Sequence, residues 1–188
     1  MGDVIKRAEW GARPPRGSYT PRPPNNRCVI HHTAGEYVAS EPGKPGPRWW
    51  RLAARGIASA RVRRAITAWE KQHAATITRE VKAMQAMQAM HMSMGWVDLG
   101  YHYVVFPSGR IYEGRPDTVY GAHAKGGNDQ IGFSFAGNYE RDRPTIAALA
   151  AYQEWHDHHK ITGVTGHYRV PGNATACPGK HLKIALGL

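Results

Sequence analysis

Three residues with an affinity for soft metals stand in two distant places, and a fold that uses them together has to bring both ends of the chain side by side. His31 closes the apolar run Cys28-Val29-Ile30, whereas His167 and Cys177 lie in the stretch GHYRVPGNATACPG near the C-terminus. Two imidazoles and one thiolate fill three positions of a tetrahedral zinc ion and leave the fourth open, which is the pattern of a catalytic rather than a closed structural site. The spacing H-x9-C is loose, however, and the chain has 11 His. Spacing alone therefore leaves a metal role and a structural role both open.

A chain of 188 residues is long enough for one well-buried core and short for two. Its 41% hydrophobic content with 21 Gly and 13 Pro is that of a loop-rich globular domain. The start, Met1-Gly2-Asp3-Val4-Ile5-Lys6-Arg7, shows no basic region followed by an apolar stretch, so no signal peptide is visible. With Cys28 and Cys177 the only cysteines, a disulfide framework is not expected, and Cys28 within a strand reads as a small buried apolar residue.

Periodicity divides the chain. A Pro-rich arm runs from Ala8 to Pro24, with Trp10 as its anchor. Arg27 to His32 suits a buried strand that ends in the Thr33-Ala34-Gly35 turn, and Glu36 to Pro47 reads as a loop. Ile66, Trp69, His73, Ile77, Val81, Met84, Met87 or Gln88, His91 and Met94 recur at helical steps, which predicts a long helix or helix pair stopped by Gly95. The methionines of that stripe read as core packing. Tyr101 to Phe106 and Arg110 to Glu113 predict a hairpin across Pro107-Ser108-Gly109, and Ile131 to Ala136 another strand. Pro144 is expected in the first turn of a helix reaching about His158, and Val164 in a last strand that leads into His167. The expected fold is therefore α/β, a single domain with a mixed central sheet flanked by helices.

The net charge of +11 is unevenly placed: ten Lys or Arg face three acidic residues between Glu41 and Lys82. Such a field favours polyanionic partners. Trp49 and Trp50 stand between Arg48 and Arg51, yet no recognisable nucleic-acid motif accompanies them, and nucleic acid is not the expected partner.

Five segments in order, AEWGARPP, VIHHTAG, GWVDLGYHYVVFPSGRIYEGRP, GAHAKGGNDQIGFSFAGNY and GHYRVPGNATACPG, closely resemble the zinc-dependent N-acetylmuramoyl-L-alanine amidases related to peptidoglycan recognition proteins and phage lysozyme-type amidases. The resemblance implies the peptidoglycan recognition protein-like amidase fold over residues 1–188, with 36–80 as a basic, partly helical insertion. It also implies zinc (Zn2+) as cofactor, held by His31, His167 and Cys177. The family's active-site tyrosine falls on Tyr101, whose phenol would polarise the substrate carbonyl. Thr175, two positions before the cysteine, would donate to the oxyanion. The interval between the second and third ligands departs from the family pattern by about two extra residues, at Gly172-Asn173.

His123 would line the cleft and touch substrate, with Lys125 and Asn128 contacting the sugar or peptide stem. His32 and His102 neighbour these residues and should face away, since strand side chains alternate. The activity implied is hydrolysis of the amide between N-acetylmuramic acid and L-alanine, in a monomer of the phage or prophage endolysin kind that is made in the cytoplasm and acts at the bacterial wall. The alternative is a non-catalytic peptidoglycan-binding module, but in such relatives the cysteine ligand is typically replaced and this chain keeps Cys177. The basic 36–80 region would add adhesion to anionic cell-wall polymers or to a membrane surface.

Overall fold

The computed structural model describes residues 4–35, 47–56 and 58–188. Strand β1 (Arg27–His32) is buried along all but its first residue, so its backbone polar groups need partners on both edges. They come from β4 (Ile131–Phe135) and β5 (Gly163–Gly166), both parallel to it. β2 (Tyr103–Val105) joins the far edge of β4 in parallel and turns back antiparallel into β3 (Ile111–Glu113). The sheet order is β3-β2-β4-β1-β5, the mixed sheet expected from the irregular alternation of strands and helices.

A largely parallel sheet has to be covered on both faces. On one face Phe133 and Phe135 pack with Tyr152 and Trp155 of α3 (Ile146–His158) and Leu182 of α4 (Lys180–Leu186). On the other, α2 (Ala60–Ser93) lays Met84 against Val104, Phe106 and Tyr112. Trp10 anchors the N-terminal arm in that second layer, 1% exposed, and its indole N–H donates to Glu113 O at 2.8 Å. Cys28 is fully buried, as its place in the strand implied.

The helical stripe is one 34-residue helix. Ser59 caps it by accepting from the Val62 N–H, and it ends at Gly95, whose φ of +88° is accessible to glycine at little cost. A buried carboxylate fixes it to the hairpin. Glu80 accepts from Ser108 Oγ at 2.6 Å, Arg110 Nε at 2.5 Å and Tyr112 OH at 2.9 Å. Removing one partner of such a buried pair costs about 3–5 kcal/mol, because the other charge is left stranded. A short helix, α1 (Pro47–Ala54), packs beside α2 with the Trp50 and Trp69 rings in edge contact at 5.7 Å.

Two boundaries differ from expectation. Pro144 lies outside α3, whose cap is Thr145, accepting from the Ala148 N–H at 3.1 Å. Of the loop expected at Glu36 to Pro47, residues 36–46 lie outside the described residues and Pro47 already opens α1. No helix of the described residues is long and apolar enough to cross a membrane.

Candidate metal centre

Alternation along β1 sends His31 to the same side as Val29, towards Ala124 and Val170, and His32 to the side of Ile30. The parallel register then brings the distant ligand alongside. Ile30 pairs with Gly166, so His167, the next residue of the chain after β5, stands level with His31 and their rings lie 4.6 Å apart. The chain then folds back so that Cys177 O accepts from the Tyr168 N–H, and its sulfur lies 3.4 Å from the His32 amide.

One potential ligand atom from each of His31, His167 and Cys177 lies within 4.8 Å of the others. His31 Nδ1 and Cys177 Sγ are 3.7 Å apart. Zinc–nitrogen and zinc–sulfur bonds at a tetrahedral angle require about 3.6 Å for that edge. The donor set fits a zinc ion.

Hydrogen bonds assign the tautomers. His123 Nε2 faces the Gln130 carbonyl at 3.2 Å and so carries the proton, which leaves His123 Nδ1 to accept from His31 Nε2 at 3.0 Å. His31 Nδ1 then presents its lone pair beside Cys177. A second pairing acts on His167, whose Nε2 lies 3.0 Å from Asn173 Oδ1. The Asn173 amide is oriented by donation to the carbonyls of Lys125, Val170 and Pro171. That leaves His167 Nδ1 for the metal.

Burial holds the His31 imidazole well below its usual range, with His123 and His167 adding to the effect, so it is neutral as a ligand requires. Burial pushes the Cys177 thiol up to about 11, opposed by the His32 amide and Lys183. A metal has to displace that proton, which couples binding to pH. Tyr101 is half-buried, with its ring 5.2 Å from that of His31 and 5.7 Å from that of His91. Burial, then the Cys177 charge, raise its phenol above the ordinary range, so it stays an O–H donor.

The expected substrate contacts differ in exposure and in hydrogen bonding. His123 is 8% exposed and has both ring nitrogens engaged, Nδ1 with His31 and Nε2 with the Gln130 carbonyl. Asn128 turns its Oδ1 to the amides of His123 and Ala124 at 2.8 and 3.0 Å, so it builds the loop that carries His123. Lys125 is exposed at the rim, and its carbonyl holds Asn173. Thr175 is exposed as well, and its Oγ1 accepts from the Cys177 amide at 3.2 Å. His102 stands beside His123, ring to ring at 5.6 Å, with its nitrogens on Gly132 N and Val119 O.

Sequence reasoning passed over Asn173 and the supporting role of His123. A signal for the second was present: Gly132 interrupts an apolar strand, a mark of close approach. A Cβ there would lie 2.3 Å from the His123 ring, and one on Gly121 would lie 2.2 Å from it.

A family model described as N-acetylmuramoyl-L-alanine amidase matches residues 57–180. That span contains Tyr101, His167 and Cys177, starts after His31, and takes in the later part of the 36–80 segment. Peptidoglycan-recognition protein SC2 of Drosophila melanogaster is 30% identical over 95% of this chain and 82% of its own length. An N-acetylmuramoyl-L-alanine amidase of Sus scrofa is 31% identical over 95% of this chain and 26% of its own length. The crystal structure of peptidoglycan recognition protein-LE in complex with tracheal cytotoxin, a monomeric diaminopimelic acid-type peptidoglycan, matches with a TM-score of 0.69 at 27% identity, covering 99% of this chain and 94% of that one.

Proposed function

The chain belongs to the N-acetylmuramoyl-L-alanine amidase family, and on that premise we propose that it is a zinc-dependent hydrolase of the amide joining N-acetylmuramic acid to L-alanine in bacterial peptidoglycan. The observation that carries the reading is the convergence of His31, His167 and Cys177 beside the Tyr101 ring. Recognition protein-LE in complex with a peptidoglycan fragment supports peptidoglycan as the substrate class.

Zinc, when bound, supplies a Lewis acid that polarises a carbonyl and brings the pKa of water from about 16 towards about 7. The chain's own residues hold and orient. His123 and Asn173 keep the ligand nitrogens of His31 and His167 turned to one point. Tyr101, protonated across the neutral range, donates its O–H to the lactyl carbonyl oxygen as negative charge builds there. The C–N bond breaks, the oxygen of water stays on the carbonyl carbon, and the L-alanine nitrogen leaves with a proton. Thr175 retains the proposed role of a second donor at the rim, beside its bond to the Cys177 amide. Within this reading the protein acts at the bacterial wall, as a phage or prophage endolysin does.

Zinc-loaded protein incubated with purified sacculi should release peptide stems that carry a free L-alanine amine, detected by mass spectrometry. Chelation or Cys177→Ser should abolish release. A fully loaded protein that binds sacculi and frees no stem would overturn the enzyme reading in favour of a binding module.

A further inference from the structure

The outer face of α2 repeats with helical spacing through Arg61, Arg64, Ala68, Lys71, Ala75, Arg79, Lys82, Ala86, Ala89 and Ser93. At 100° per residue the five cations fall within an arc of about 80° and extend about 32 Å along the axis. All five are exposed. The buried side chains of the helix, among them Ile66, Glu80, Met84 and His91, occupy the opposite side. The only acidic residues of α2 are Glu70 and Glu80. Glu70 lies half a turn round from Arg61, and Glu80 is consumed by the hairpin contacts.

This charge works against the helix that carries it. Arg61 and Arg64, like Arg79 and Lys82, are like charges three residues apart, which disfavours the helix. Arg61, Arg63 and Arg64 also crowd the first turns, where the helix dipole is positive and no acidic residue offsets it. A row that costs stability and stands exposed from Arg61 to Lys82 is explained by a ligand outside the chain. The row carries only alanine, Ala68 and Ala75, between its cations, and Met84 on the other side of α2 is spent on the sheet. Between Arg61 and Lys82 the row presents no large apolar side chain to insert into a bilayer, the exposed Met90 and Met94 lying beyond its last cation. What it complements is a string of negative charges at successive positions.

We propose that the Arg61–Lys82 row of α2 is a docking surface for a linear phosphate-bearing polymer of the bacterial wall. The polymer's phosphates would pair with cations along the helix and hold the enzyme on its insoluble substrate. The choice of a wall polymer rests on the proposed function; the polyanion surface itself rests on the helix.

The test compares wild-type protein with Arg64→Gln/Lys71→Gln/Arg79→Gln/Lys82→Gln, checked for unchanged helical content. Both are bound to sacculi with wall polymer present and to sacculi stripped of it by hydrofluoric acid. Wild type should lose roughly tenfold in retention at about 0.1 M salt on stripping, and the variant should show that loss on intact sacculi, with a shallower salt dependence. Release of stems from a soluble muramyl peptide should be equal for the two, which separates this surface from the catalytic reading; Cys177→Ser should still be retained. Equal retention of variant and wild type would overturn the proposal. So would a tighter hold on duplex DNA than on the wall polymer at the same salt.

Discussion

His31 Nε2 lies 3.0 Å from His123 Nδ1, and this contact determines which nitrogen of His31 is left for a metal. The His123 ring occupies space that exists only because positions 121 and 132 lack a Cβ. Replacing His123 with Ala should weaken zinc binding by about 10–100-fold, the usual cost of losing such a support. Gly132→Ala should move affinity the same way while keeping the imidazole, by displacing it. Competition titration against a chromophoric chelator reads both, and wild-type affinity in the two variants would refute the role.

Asn173 stands in the same relation to His167, at 3.0 Å. Asn173→Ala should raise the zinc dissociation constant by about tenfold. The d–d spectrum of the cobalt-substituted protein should also change, because the His167 ring gains freedom. An unaltered spectrum together with unaltered affinity would show that the bond merely shapes the loop.

Tyr101→Phe removes one hydroxyl and leaves the ring beside His31 and His91. Loss of a donor to a developing oxyanion costs about 10²–10³ in kcat, and that fall is expected here with zinc content unchanged and KM little altered. A variant with normal kcat would remove Tyr101 from the chemistry, and one that fails to hold zinc would make it a structural residue.

Acid should destabilise the metal-free protein through two buried histidines. Burial is the first cause that lowers His91 and His102 to about 4, against 6.5 in the unfolded chain. Between those values the unfolded state binds the extra protons, so stability is full above about 6.5, falls as pH drops towards about 4, and levels off below. The two groups are 5% and 0% exposed, and each accounts for up to about 3 kcal/mol across that window. Urea denaturation at a series of pH values with chelator present would show it; a constant midpoint from pH 7 to 4.5 would contradict the assignment.

The sequence by itself determined the strand that carries His31, the long amphipathic helix and the hairpin after Tyr101, and its ordered motifs pointed to His31, His167 and Cys177 as candidate ligands, because these rest on local periodicity and on motif order. It also showed the concentration of positive charge, which is a matter of counting. Only the tertiary structure decided what stands behind each ligand. His123 and Asn128 look like cleft residues in a polar glycine-rich segment, and their partners, His31 and the loop amides, are identified by the β1–β4 register and by a turn that returns on itself. Asn173 acquires a role only when β5 sets His167 beside His31. A motif records which side chains are present, whereas orientation and protonation depend on neighbours brought in from far along the chain, and burial against those neighbours makes the His31 and His123 imidazoles neutral and keeps the Tyr101 phenol protonated.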